Sequence, residues 1–168
     1  MTPKKGNASV NNPYSLEGKL ILVTGAGTGI GQGIALEAAR QGADVVLSYY
    51  SDSIKGAHET VEEIKGMGRR AVAIFADLGE VAECTRLVDE AAAFLGGLDG
   101  LVNNAGVTLT LDFLDVTEDH FNRIYNLNIR GGFFCAQQAV RHMIKRGQAL
   151  QQSAPDKQWA GGSIVNIS

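Results

Sequence analysis

Apolar and polar positions along the 168 residues follow two alternating patterns. The first is the short apolar-centred run: 20–23, 43–48, 71–75, 98–103 and 163–168 each read as a strand. Leu20-Ile21-Leu22-Val23 has no polar interruption and reads as a strand buried on both faces. The second pattern recurs every three or four residues. Ile54, Ala57, Val61 and Ile64 predict a helix over 53–65, with His58, Glu59, Glu62 and Glu63 outward. Val81, Cys84, Leu87, Val88, Ala91 and Ala92 predict another over 80–95. A first helix runs through Ile34 to Arg40, and Thr117 is placed to cap a single long helix reaching about Lys145. Gly42, Gly66 and Gly68 fall where helices should stop, and 148–162 reads as a polar connection containing Pro155. Strand and helix alternate in units of about 25–35 residues, which predicts βαβ crossovers and a parallel sheet with helices on both faces.

Such sheets take ligands beyond the carboxyl ends of their strands, where strand order reverses. The predicted tips are the glycine-rich 24–33, Ser48-Tyr49-Tyr50-Ser51, Asp77-Leu78, Asn104-Ala105-Gly106 and Ser168, all small or polar-rich. In the first, glycines stand at every second position from Gly25 to Gly33 and lead straight into a helix. The first backbone N–H groups of that helix lack internal partners and carry the positive end of its dipole, so the turn is an anion site. The spacing departs from G-x-G-x-x-G, because Ile30 stands at its third glycine position; Thr24-Gly25-x-x-x-Gly29-x-Gly31 is the pattern that fits. A glycine turn that binds nothing is the competing reading.

Composition narrows the field. Hydrophobic residues make up 45% and charged residues 20%, the balance of an ordinary globular domain. A formal net charge of −3 supplies no basic field for nucleic acid or an anionic membrane. Cys84 and Cys135 have no metal-like spacing and point to a reducing, cytoplasmic setting. Residues 1–17, polar and rich in Asn and Pro, read as a flexible arm ahead of one domain over 18–168.

Taken together, Thr24-Gly25-x-x-x-Gly29-x-Gly31, Asp77, Asn103-Asn104-Ala105-Gly106, Asn128 ahead of Gly131, and Gly162-Ser163-Ile164-Val165-Asn166-Ile167-Ser168 resemble the short-chain dehydrogenases/reductases. The 3-ketoacyl carrier-protein reductase and glucose 1-dehydrogenase groups are the nearest in pattern. The resemblance implies a Rossmann-type doubly wound parallel sheet, here incomplete after its fifth strand, and an NAD(P)-dependent oxidoreductase acting on a carbonyl or alcohol. By position, Gly25, Thr28, Gly29, Ile30 and Gly31 would cradle the pyrophosphate. Asp77 would accept from the adenine amino group and Leu78 would lie against the ring. Asn104, Ala105 and Gly106 would line the adenosine ribose. Asn128 would hold a water serving the catalytic lysine. The competing reading makes Asp77 a helix cap and Asn128 a kink residue, and Asn103 is read as structural.

At the end of the second strand Tyr49 stands where NAD enzymes carry an acid, and Tyr50 where NADP enzymes carry an arginine. Asp44 begins that strand, at the wrong end. With no carboxylate at Tyr49, and with hydroxyls at Ser51 and Ser53, the 2′-phosphate of NADP is favoured over NAD. The family's catalytic tyrosine has a lysine four positions on, and none of Tyr14, Tyr49, Tyr50 or Tyr125 does. The chain is therefore expected to bind coenzyme without turnover, as the N-terminal portion of a longer, homo-oligomeric reductase. A non-catalytic NAD(P)-binding or dimerising module is the alternative, and a flavin or adenylate site a remoter one. Leu109, Leu111, Phe113 and Leu114 form an apolar stretch suited to a lipophilic or acyl carbonyl, or to seating their loop on the long helix.

Overall fold

A computed structural model describes residues 12–154, 156 and 161–168. Five strands, β1 (Leu20–Val23), β2 (Asp44–Tyr49), β3 (Ala71–Phe75), β4 (Gly100–Asn103) and β5 (Ser163–Asn166), form one parallel sheet in the order β3-β2-β1-β4-β5. The direction of travel reverses between β1 and β4, so a crevice opens between their carboxyl ends.

The two-residue repeat of a strand divides β1 between two cores. Leu20 and Leu22 face the layer built from α3 (Val81–Leu95) and α5 (Gly132–Ser153), where Leu87, Val88, Cys84, Cys135 and Met143 are buried. Ile21 and Val23 face α1 (Gly29–Arg40) and α2 (Ile54–Gly66), with Ala35, Ala39, Val61 and Ile64. All four β1 residues are buried, as an uninterrupted apolar run between two helix layers requires.

The predicted single long helix is in fact three segments. Thr117 does cap α4 (Glu118–Tyr125), its hydroxyl accepting from the His120 N–H at 3.3 Å. A π-helical stretch, Asn126–Gly131, then intervenes before α5. Helix α5 also continues through 148–153, eight residues beyond the expected end at Lys145. The glutamines there are good helix formers, and no proline falls between 132 and 154. The remainder of the expected polar connection is described only at 154, 156, 161 and 162.

Residues 1–11 of the expected arm lie outside the described residues. Of its last six, Leu16 is tied back, its N–H donating to the Gln41 carbonyl at 2.8 Å. Asp44 sits at the amino edge of β2, where it accepts from the Arg70 backbone N–H at 3.0 Å and from Arg70 Nε at 2.8 Å. Its burial would raise the carboxyl pKa, but those bonds and the charges of Arg69 and Arg70 outweigh it and hold the group below its ordinary value. The residue is structural and far from the crevice, as expected.

Candidate coenzyme site

The turn after β1 is built for close backbone approach. Gly29 has φ +60°, and a Cβ there would meet nothing within 4 Å, so the backbone stands against open space. Gly31 is the opposite case. A Cβ at Gly31 would collide with Asn104 Nδ2 and with the Gly25 carbonyl oxygen, which fixes α1 tightly against the tip of β4. At the start of α1, Thr28 is the N-cap residue without a side-chain cap bond, and the first turn holds no acid. The leading N–H groups of α1 are thus left to a ligand or to water, with no side-chain anion competing for the dipole. Thr28, Gly29 and Ile30 are all exposed around this end.

The strand tips are tied by short polar links. Thr24 Oγ1 accepts from the N–H groups of Asn104 and Ala105, both at 3.0 Å, and donates to the Val102 carbonyl at 3.3 Å. Asn104 Nδ2 donates to the carbonyls of Thr24 (2.9 Å) and Gly25 (3.1 Å). Asn103 Nδ2 donates to the Gly132 carbonyl and to Asn166 Oδ1, both at 3.0 Å, tying β4 to α5 and β5. Asn103 is therefore a fastener of the sheet.

Beside this turn lies a cleft of about 580 Å³. Gly25, Tyr50, Asp77, Leu78, Asn104, Ala105 and Gly106, all expected at the site, line it together. Thr28, Gly29, Ile30, Gly31, Ser51 and Asn128 lie outside its lining. For Thr28, Gly29 and Ile30 the reason is openness: they form an exposed ledge rather than an enclosed wall. Gly31 is buried under Asn104, and Ser51, exposed with φ +50°, follows the lining residue Tyr50.

Asn128 stands behind the wall. Its Oδ1 accepts from the Val107 N–H and its Nδ2 donates to the Val107 carbonyl, both at 2.9 Å, like a backbone pairing. Each amide atom keeps one further hydrogen-bonding capacity. Asp77 does not cap the following helix, whose N-cap is Glu80. Its Oδ1 instead accepts from the Gly79 N–H at 3.0 Å, holding a tight turn at the cleft.

At the tip of β2 the structure shows aromatics rather than charge. Tyr50 stacks on Phe75 with centroids 5.7 Å apart, and Tyr49 meets the same ring edge-on at 5.9 Å. The Ser53 hydroxyl donates to the Tyr50 carbonyl at 2.9 Å. Ser53 lines the cleft beside Tyr50. Leu78 is buried in the core and reaches the cleft from below. Sequence reasoning missed Glu80, Arg123, Asn126 and Leu127 as lining residues. Helical periodicity signalled α4 but not which of its faces meets the β3 loop.

A doubly wound parallel sheet with an uncapped glycine-turn helix and a polar cleft at the strand-order reversal defines a dinucleotide-binding domain. The family model "short chain dehydrogenase" matches residues 19–168. Hydroxynaphthalene reductase-like protein Arp2 of Metarhizium robertsii is 47% identical over 147 residues, which are 88% of this chain and 55% of that protein. A short-chain dehydrogenase from Burkholderia cenocepacia, solved in complex with NADP, is 42% identical with a TM-score of 0.74, covering 76% of this chain and 51% of that one. A 7α-hydroxysteroid dehydrogenase solved with NADH and a 7-oxo bile acid conjugate is 35% identical with a TM-score of 0.79, covering 92% and 55%. The chain belongs to the short-chain dehydrogenase family. It spans about half the length of the curated relatives it matches.

Proposed function

We propose that the chain is the coenzyme-binding part of an oxidoreductase that moves a hydride between NADP(H) and a small-molecule carbonyl or alcohol. The observation that carries this reading is the bare amide end of α1 standing beside the cleft. The diphosphate rests on the Thr28–Gly31 ledge with Gly25 beneath it. Adenosine enters the cleft, where Asp77 accepts from the adenine amino group, Leu78 supports the ring, and Asn104, Ala105 and Gly106 line the ribose. Tyr50 and Ser51 flank the 2′ position. When bound, the nicotinamide supplies or receives the hydride. Asn128 fixes Val107 and retains the capacity to hold a water for proton transfer.

The choice of NADP(H) over NAD(H) rests on the absence of a carboxylate at Tyr49, where a 2′-phosphate would be repelled. The NADP complex of the Burkholderia relative supports it. The apolar run Leu109, Leu111, Phe113 and Leu114 favours a lipophilic or acyl carbonyl as substrate. Turnover is not assigned to this chain alone, since none of its tyrosines is followed by a lysine at the fourth position, and assembly into a homo-oligomer is likewise proposed only for the whole oxidoreductase.

Calorimetric titration of the purified chain with NADPH and with NADH tests the proposal. Tighter binding of NADPH is expected, with no carbonyl reduction by the chain alone. A tenfold preference for NADH overturns the choice of coenzyme. Absence of heat with either, from protein shown to be folded, overturns the whole reading.

A further inference from the structure

The π-helical stretch does more than connect α4 to α5. Asn128 and Arg130 are two residues apart, so they leave the helix on nearly opposite sides. Asn128 takes Val107 in the loop after β4. Arg130 takes the loop after β3, its terminal nitrogen donating to the Gly79 carbonyl at 2.6 Å across 51 residues of sequence. Gly131, next in the chain, is pressed against the Leu78 carbonyl oxygen so closely that a Cβ would collide with it. Two successive residues of the π segment therefore seat against two successive carbonyls of the turn that presents Asp77.

The Arg130 side chain is held there at some cost. Its Nε is buried with no hydrogen-bond partner, which a solvated arginine would avoid. What the guanidinium gains is a short, charge-assisted bond to Gly79. Gly79 is in turn bonded to the Asp77 carboxylate through its N–H, and the Glu80 N–H closes the same turn on the Asp77 carbonyl at 3.1 Å.

We infer that Arg130 is a positioning residue for adenine recognition: by anchoring Gly79 it holds the turn that aims the Asp77 carboxylate into the cleft. This rests on the coenzyme reading of the cleft. Arg130 itself lies outside the lining and touches no coenzyme; it acts through the turn.

The test uses two coenzymes that differ at the base edge Asp77 would read. These are NADPH and its hypoxanthine analogue, in which a keto oxygen replaces the adenine amino group and N1 carries a proton. Both are titrated into the wild-type chain, Arg130→Met, Arg130→Lys and Asp77→Asn, with far-UV circular dichroism as the folding control. The wild type is expected to prefer NADPH by about tenfold, the scale of one hydrogen bond to a charged acceptor. Asp77→Asn abolishes that preference, Arg130→Met reduces it to about twofold or less, and Arg130→Lys restores part of it. An Arg130→Met chain that binds both forms more weakly with the tenfold ratio intact overturns the inference while leaving the coenzyme reading standing. Wild type that binds both forms equally overturns it too, for nothing is then being aimed. Wild type that binds neither overturns the coenzyme reading and this inference with it. Should Arg130→Met not fold, Arg130→Gln is judged on the same ratio.

Discussion

Two regions of the sheet differ in how completely they are covered. Around the central strand β1 and its neighbour β2, strands lie between α1 and α2 on one face and α3 on the other, and the four central residues of β2 are enclosed. At the β5 edge all four residues of the strand are exposed. Helices α4 and α5 with their π junction turn Phe121, Tyr125, Ile129, Phe133 and Ile144 outward there, each between 47% and 61% exposed. Apolar burial is the main favourable term in folding, so the two regions contribute unequally to stability. The glycine turn, the Asn104 links and the aromatic tip of β2 all stand in the enclosed region, whereas Phe113 and Leu114, proposed to meet substrate, are 88% and 91% exposed. A coenzyme cradle needs fixed backbone amides and therefore a rigid support.

The strongest way to break this contrast is to disturb the enclosed region. Gly31→Val would drive its side chain into Asn104 and the Gly25 carbonyl, and overpacking of this kind costs about 1–3 kcal/mol or somewhat more. The expected outcome in urea unfolding is a loss at the upper end of that range, accompanied by loss of detectable NADPH binding. Retention of full affinity would detach the cradle from the Gly31–Asn104 packing.

A smaller effect is expected at the amino edge of the same region, where Asp44 is bonded to Arg70 and paired with Arg69. Its folded pKa lies below the ordinary aspartate value, so its contribution is complete above that ordinary value. The contribution disappears as pH falls through the lowered folded pKa. Unfolding measured between pH 7 and pH 2 should show wild type exceeding Asp44→Asn by about 1–3 kcal/mol at neutral pH, with the two converging under acid. A gap that stayed constant across the series would refute the electrostatic account.

The smallest effect is expected in the exposed region. Phe133→Lys places a charge on a side chain already 61% exposed and should change unfolding free energy by no more than about 0.5 kcal/mol. It should nonetheless reduce the binding of a hydrophobic dye, which the wild-type chain is expected to show strongly. A large loss of stability would mean that this face is packed in solution.

How much of the site could be read beforehand follows the same physical division. The glycine turn and the tip residues Asp77, Asn104, Ala105 and Gly106 were visible because they depend on local backbone demands and on position at a strand end. The bond from the Ser53 hydroxyl to the Tyr50 carbonyl comes from the short helical turn at Ser51–Ser53, a local geometry that composition does not report. Arg123 and Arg130 were not singled out at all. Nothing in the vicinity of either marks it: Arg123 counts only because α4 brings it to the cleft, and Arg130 acts through a loop 51 residues earlier in the chain.

The order of strands and helices, the two-faced burial of Leu20–Val23 and the amide ledge before α1 were determined by the sequence alone, since periodicity and glycine placement act over a few residues. The division of the long helix at Asn126–Gly131, the pairing of Asn128 with Val107 and of Arg130 with Gly79, and the choice of cleft-lining residues on α4 were decided only by tertiary structure. Those features join segments distant in the chain, and their energies exist only once the sheet has brought the segments together.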